Sequence, residues 1–264
     1  MSSRQATQAP GSGSVRNAVY VYGIVPADVQ AEEHASGIGD PPCDIQVVRH
    51  GEVGALISEI AVDRPLGTPD DLIAHARLVD GAAAVTPVLP LRFGAVLTDL
   101  DEVENELLDA HHDEFRAALE ELEGRAQFVI KGRYVEKNIL REVLDENSEA
   151  ARLREKIRDK SEDATRDLRM QLGEIINQTI EAKRAEDTRQ VIDALETLEP
   201  VVNKREPTNE EDAVHVAVLI ELSRQRDLEE TLAQLAEEWD GRVEMSLLGP
   251  MAAYDFVAKQ KTEG

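Results

Sequence analysis

From Gln127 to Leu248 the apolar pattern reads strand, helix, strand, strand, helix, strand, and few folds can accept that order. The expected strands are Gln127 to Val135, Pro200 to Glu206, Ala213 to Leu222 and Arg242 to Leu248. The expected helices run from about Ser148 to Leu198, with breaks, and from Arg224 to Trp239. A βαββαβ succession is the split βαβ arrangement of a ferredoxin-like domain. AVHVAVLIEL, from Ala213, is apolar on both faces and suits the middle of a sheet, with His215 packed inside it. The first helix is too long for a small domain. About fifty straight helical residues reach about 75 Å, so this segment must kink, break or project. Gly173 is the obvious breaker in it. Leu153, Ile157, Ala164, Leu168, Leu172, Ile175 and Thr179 trace an apolar stripe along it.

The first half mixes strands and helices less regularly. AVYVYGIV, from Ala18, gives a β-branched and aromatic strand ended by Pro26, with Gly23 marking a bulge or a close backbone approach. Ala27 to Cys43 reads as a surface loop, and Asp44 to Arg49 with Val53 to Ile60 as a hairpin turning at His50, Gly51 and Glu52. Thr68 can cap a helix with Pro69 at its first position and Asp70 and Asp71 at the positive end of its dipole. Leu72, Ile73, Ala76, Val79 and Ala83 then form the buried face, which leaves His75 just off it and partly exposed. PVLPLRFGAVL, Pro87 to Leu97, is a dense apolar run that reads as a strand covered on both faces, interrupted by Pro90 and Gly94. Arg92 within it must pair with an acid, reach water or meet a ligand, because an unpaired buried charge costs several kcal/mol. A structural ion pair is the expected outcome. From Asp99 to about Glu123 a further helix places Val103, Leu107, Phe115, Ala118 and Leu122 on one face, with His111 among them as a satisfied core histidine. Gly124 and Arg125 mark the domain boundary.

Charge narrows the partners. The chain carries 53 acids against 29 bases, a formal net charge of −24. Such a surface repels nucleic acid and anionic membrane. The repulsion fades in concentrated salt, where the Debye length falls to about 3 Å at 1 M, so the composition suits a salt-rich cytoplasm. The acids are unevenly spread: Asp99 to Glu123 holds eleven acids and one base, whereas Asp145 to Gln190 holds twelve acids and ten bases. The long helical segment is therefore where a partner meets least repulsion. No run of eighteen apolar residues is available to span a bilayer. Residues 1–17 lack the apolar core of a secretory leader and are expected to be a disordered tail. Cys43 is the only cysteine, so no internal disulfide can form and a reducing compartment is expected.

Nothing in the chain announces chemistry. There is no phosphate-binding glycine loop, GxGxxG, HExxH, CxxC or GxSxG. His34, His50, His75, His111, His112 and His215 are scattered without ligand spacing, and adjacent His111 and His112 point about a hundred degrees apart on a helix. The residues predict no metal, no cofactor and no enzymatic activity.

Three phrases in fixed order go further: VYVYGIV at Val19 to Val25, PVLPLRFGAVL at Pro87 to Leu97, and LLGPMAAYDFV at Leu247 to Val257. Together they resemble the gas vesicle protein F/L family, accessory proteins of gas vesicle formation, over nearly the whole chain after residue 17. The LPLRFG core at Leu89 to Gly94 is the most telling, and the third phrase departs from the family pattern where GP is followed by MAA. The acidic composition resembles that of haloarchaeal members. The resemblance implies an α+β protein of two ferredoxin-like domains. Its expected parts are a tail at 1–17, an N-terminal domain at 18–124, a C-terminal domain at 125–258 containing the helical segment 148–198, and a tail at 259–264. It also implies a cytoplasmic, non-enzymatic protein, monomeric when free, that binds the small hydrophobic gas vesicle shell protein and other accessory proteins and can accompany the vesicle. The contact residues expected on this reading are Tyr22, Arg92 and Phe93 on the first sheet, and Leu153, Ile157, Leu168, Leu172 and Ile175 on the helical segment. The alternative is a ligand-sensing or enzymatic ferredoxin-like protein that binds an anionic metabolite near Arg92.

Overall fold

In the computed structural model the described residues are 17–31, 35–61 and 65–257. The tail expected at 259–264, nearly all of that expected at 1–17, and His34 lie outside them. The chain divides into two compact units, one drawn from Met1–Gly81 and Val88–Glu121, the other from Ala82–Pro87 and Leu122–Gly264.

The first unit is built on β1 (Asn17–Pro26), β2 (Gln46–His50), β3 (Val53–Ala61), α1 (Pro69–Ala83), β4 (Leu89–Pro90) and β5 (Val96–Leu97). Its sheet runs β2-β3-β1-β4, with β5 also pairing with β1 and every pairing antiparallel. β1 is central and almost wholly buried. At Gly23 the β1–β3 register shifts, and a Cβ there would lie 2.9 Å from the Leu89 carbonyl, so the glycine serves both a bulge and a close approach. The expected hairpin is present, with His50 opposite Val53.

Two helical faces differ from expectation. On α1 the buried positions are Asp71, His75, Val79 and Ala83, while Leu72 and Ile73 are 48% and 49% exposed. Polar bonding sets this phase. Asp71 accepts amide hydrogens from Gly39, Gly67 and Thr68, and the Thr68 hydroxyl accepts from the Asp71 amide, a reciprocal cap that fixes where the helix starts. After β5 the expected single helix is α2 (Leu100–Glu102), a π-helical stretch at Val103–Asp109, and α3 (His112–Leu122). Wider π turns rotate the later side chains relative to an α-helix. Leu108 is consequently buried and Leu107 only half-buried, and His111 is half-buried as well, 3.2 Å from a Glu114 carboxylate oxygen, instead of enclosed in the core.

The second unit contains β6 (Arg125–Tyr134), α4 (Glu136–Glu146), α5 (Ser148–Ile157), α6 (Glu162–Ala194), β7 (Val201–Lys204), β8 (Asp212–Glu221), α7 (Gln225–Glu238), β9 (Val243–Met251) and α8 (Tyr254–Val257). The sheet order β7-β8-β6-β9 is antiparallel throughout. In both sheets the first strand lies between the third and the fourth. Between β1 and β2 the described residues, 27–31 and 35–45, form no helix, whereas the second unit has α4, α5 and α6 between its first two strands. Phe128, Ile130, Val214, Val216, Val218 and Ile220 project from one face of the second sheet. Leu228, Leu232, Leu235 and Trp239 of the α7 segment, Val191 and Leu195 from the end of α6, and Ile139 of α4 cover them. His215, expected to be packed, is half-buried, with Nδ1 3.0 Å from the Glu206 carbonyl.

The long helical segment breaks at Arg158–Ser161, not at Gly173. Asp159 takes a left-handed φ of 61° and Ser161 is extended at the N-cap position of α6, without a side-chain capping bond; α6 then continues unbroken through Gly173. α5 packs on α6. At 33 residues, α6 is about 50 Å long. α4 has no counterpart in the sequence reading; its Ile139 and Val143 are buried, an i, i+4 pair too short to register as a periodic run.

Candidate partner-binding surfaces

The first surface is a bulge. Only Val88, Leu89 and Pro90 of the Pro87–Leu97 stretch are buried; beyond Leu91, half-buried and exposed positions alternate, so the run is not covered on both faces. Its backbone stays attached to β1 on either side, with Leu91 donating to the Tyr22 carbonyl and Val21 donating to the Ala95 carbonyl. Between these anchors Arg92 and Phe93 arch out, and Gly94 supplies the positive φ of 95° that the arch requires. Arg92 is exposed, and no acid among the described residues pairs with it. The expected buried ion pair is replaced by contact with water, which removes the cost that called for one. Tyr22, expected at this surface, is instead fully buried, its hydroxyl bonded to Ser58 Oγ at 3.0 Å and accepting the Ile38 amide at 2.9 Å.

Beneath the bulge lies a buried aromatic cluster. The Phe93 ring is 5.7 Å from that of Tyr20 and 5.6 Å from that of His75, and His75 stacks on Tyr22. Burial pushes the Tyr20 hydroxyl up to about 12, moderated by the Gly94 amide, and raises Tyr22 as well. Burial lowers the His75 pKa, with a hydrogen bond to the Leu91 backbone opposing it. Sequence reasoning placed His75 off the buried face. The signal available was the spacing of Asp71 and His75, four residues apart on one helix, which marks a polar pair facing one way.

The second surface belongs to the helical hairpin. Leu153 and Ile157, expected as contacts, are buried on α5, so they hold the hairpin together and present nothing outward. Leu168, Leu172 and Ile175 are half-buried along α6, and Met170 is 66% exposed. Along most of its first two-thirds α6 buries only Thr165, which returns its hydroxyl to the Ser161 carbonyl. A cleft of roughly 370 Å³ opens between α4 and α6, walled by Ile139 and Leu140 on one side and Ile176 and Ile180 on the other. Glu136, Glu210 and Glu211 stand among its lining residues; Arg133 bonds the Glu211 carboxylate, and Arg184 donates to the Glu210 carbonyl.

An ion-pair network anchors α6 beside that cleft. Arg242 makes a two-pronged contact with Asp187 at 3.0 and 2.9 Å and reaches Glu142 at 2.8 Å. Tyr134 donates to Asp187 at 2.6 Å, and Lys183 bonds Glu142 at 2.6 Å. Burial pulls the Arg242 pKa down, but bonds to the two carboxylates outweigh it and leave the guanidinium above its ordinary value. Glu142 is likewise held below the usual carboxylate range by Arg242 and Lys183 against the effect of burial. At the far end of the unit, Asp255 of α8 binds Arg205 and Gln127, which ties the third sequence phrase to the sheet. Among the described residues no three histidine, cysteine or acidic side chains converge as a metal site, and no helix is long and apolar enough to cross a membrane. Cys43 is half-buried and forms no disulfide.

These features define a protein of two ferredoxin-like units, the second extended by a long helix. The chain belongs to the family described as gas vesicle synthesis protein GvpL/GvpF, which matches residues 18–258. Gas vesicle protein F of Streptomyces sp. (strain CB03234) is 28% identical over 240 residues, covering 90% of this chain and 98% of that one. Gas vesicle protein L of the same strain is 33% identical over 126 residues, 42% of this chain and 46% of its own length. The crystal structure of the gas vesicle protein GvpF from Anabaena sp. PCC7120 superposes with a TM-score of 0.77 at 21% identity, covering 91% of this chain and 98% of that one. The same fold is thus retained at low identity. The chain is an accessory protein of the gas vesicle, and its relatives carry the names of gas vesicle proteins and not of enzymes.

Proposed function

We propose that this chain is a cytoplasmic escort, monomeric when free, that binds the small hydrophobic gas vesicle shell protein, together with other accessory proteins, before and during assembly. The observation that carries the reading is the long stretch of α6, where Leu168, Leu172 and Ile175 stay half-buried within the one charge-balanced segment of a chain of net charge −24. A subunit destined for a gas-facing wall exposes apolar surface until it is assembled, and such surface aggregates unless covered. A highly charged partner with one uncharged apolar strip covers it and keeps the complex in solution. The bulge carrying Arg92 and Phe93 is the second contact. Arg92 does not line the α4–α6 cleft, so that cleft lends no support to a metabolite site around it.

Co-expression of the tagged chain with the shell protein, followed by capture in molar KCl, tests this. Stoichiometric retention of soluble shell protein is the expected result. A full-length, folded chain that retains none sinks the reading.

A further inference from the structure

We infer that the α4–α6 cleft is a docking groove for one amphipathic helix with lysine or arginine flanking its apolar face. The inference rests on the proposed binding of a vesicle component and names the chemistry of the segment that binds.

Gly173 carries the first part of the argument. It sits inside α6, is exposed, and lines the cleft. Glycine inside a helix costs roughly 0.5–1 kcal/mol relative to alanine. Its φ is not left-handed, and a Cβ at this position would meet nothing within 4 Å. Neither backbone geometry nor packing within the chain calls for glycine here. What its bare backbone provides is close approach from outside, as where a small residue lets two helices come together.

The surroundings say what approaches. Ile176 and Ile180 face Ile139 and Leu140 across the cleft, and Ile139 belongs to the core, so the groove leads apolar side chains down to an existing hydrophobic floor. Met170, one turn before Gly173 and on the same side of the helix, adds a flexible apolar contact. A groove between two helices accepts a third by its i, i+3, i+4 anchors. Charge selects among helices. Glu136 and Glu210 are exposed at the groove, and among the described residues no ion pair engages their carboxylates; Arg184 donates to the Glu210 backbone carbonyl at 2.9 Å, and Glu211 is bonded to Arg133. A second copy of this acidic chain brings like charge to the groove, whereas a basic-flanked segment brings the opposite.

The test uses the full chain at the lowest KCl concentration that keeps it folded. Two labelled synthetic helices share a leucine face and differ only in lysine or glutamate flanks, and binding is read by fluorescence anisotropy. The lysine helix binds at least about tenfold more tightly than the glutamate helix, and the preference shrinks as KCl rises. Gly173→Leu, whose Cβ meets nothing of its own chain within 4 Å and whose larger side chain occupies the approach, weakens binding about tenfold or more with an unchanged circular dichroism spectrum. The double variant E136K/E210K inverts the flank preference. Equal binding of both helices, or binding by Gly173→Leu as tight as that of the unaltered chain, overturns the groove. Saturable binding of spermine that competes with the lysine helix overturns it too, since the acids then hold a small cation. The same variants are then co-expressed with the shell protein. If Gly173→Leu captures it fully, the groove is not its dock, and the escort reading survives. If the unaltered chain captures none while the lysine helix binds as described, the escort reading fails and the groove stands.

Discussion

The Tyr20 hydroxyl lies 2.9 Å from Nδ1 of His75, and that one bond closes a buried chain that holds both ends of the Arg92–Phe93 bulge. The Gly94 amide donates to Tyr20 Oη at 3.2 Å, and the His75 ring is bonded to the Leu91 backbone. A neutral imidazole offers one donor and one acceptor. Donation to the Leu91 carbonyl leaves Nδ1 to accept the Tyr20 proton, so every member is satisfied only while His75 is uncharged.

Acid should therefore loosen this unit before it titrates the carboxylates. The folded-state pKa of His75 lies below its ordinary 6.5, so the unfolded chain takes the proton more readily. The stability His75 contributes is complete above about pH 6.5 and is lost as pH falls through and below that value. Tyr20, Tyr22 and Phe93 face the ring, and Asp71, one turn earlier on α1, places its charge near Tyr20 and Tyr22; burial is nevertheless the largest influence on His75 and lowers its pKa. Urea unfolding of the wild-type chain and His75→Gln at pH 7.5 and 5.5 checks this. The wild type should lose more stability between the two pH values than the variant, and identical losses refute the assignment.

Tyr20→Phe removes the hydroxyl and leaves Nδ1 of a buried histidine without that donor. A loss of about 1–3 kcal/mol follows from stranding such a group. Chemical denaturation measures it, and an effect within error of zero shows that the relay is not holding the bulge.

The Asp187–Arg242 pair makes a different prediction. Removing Asp187 alone strands a partly buried guanidinium that Glu142 only half satisfies, at a cost of about 3 kcal/mol. Replacing both partners with apolar residues of similar size, as in D187L/R242M, should cost less than Asp187→Ala alone. Thermal unfolding of the three proteins decides the order.

Gly173→Ala should stabilise the free chain by roughly 0.5–1 kcal/mol, because the added methyl meets nothing and the helix gains propensity. Destabilisation would mean that α6 needs flexibility at that point.

Stability should also climb with salt. With a net charge of −24, self-repulsion is strongest in dilute buffer and nearly screened in molar KCl. A melting temperature that stays flat between those conditions contradicts this.

The sequence by itself determined the strand content, the βαββαβ order of the second half, the hairpin at His50–Val53, the Thr68 cap and the near-neutral helical segment. Each is a local matter: period, punctuation and charge are properties of neighbouring residues. The three phrases that carry the family resemblance likewise occupy β1, the Arg92 bulge and the β9–α8 end of the second sheet. Only the tertiary structure decided which way the helices turn. Leu72 and Ile73 lost the buried face of α1 to Asp71 and His75, because the Gly39 amide and the Tyr20 hydroxyl, distant in sequence, join the nearby Gly67 amide in satisfying those polar groups there. His111 left the core because a π-helical stretch rotated the residues after it. Leu153 and Ile157 became internal because the chain turned at Asp159 and laid α5 on α6. On α1 and on α5 burial depended on partners elsewhere in the chain, and at His111 on a change of helical pitch; hydrophobic period alone carries no record of either.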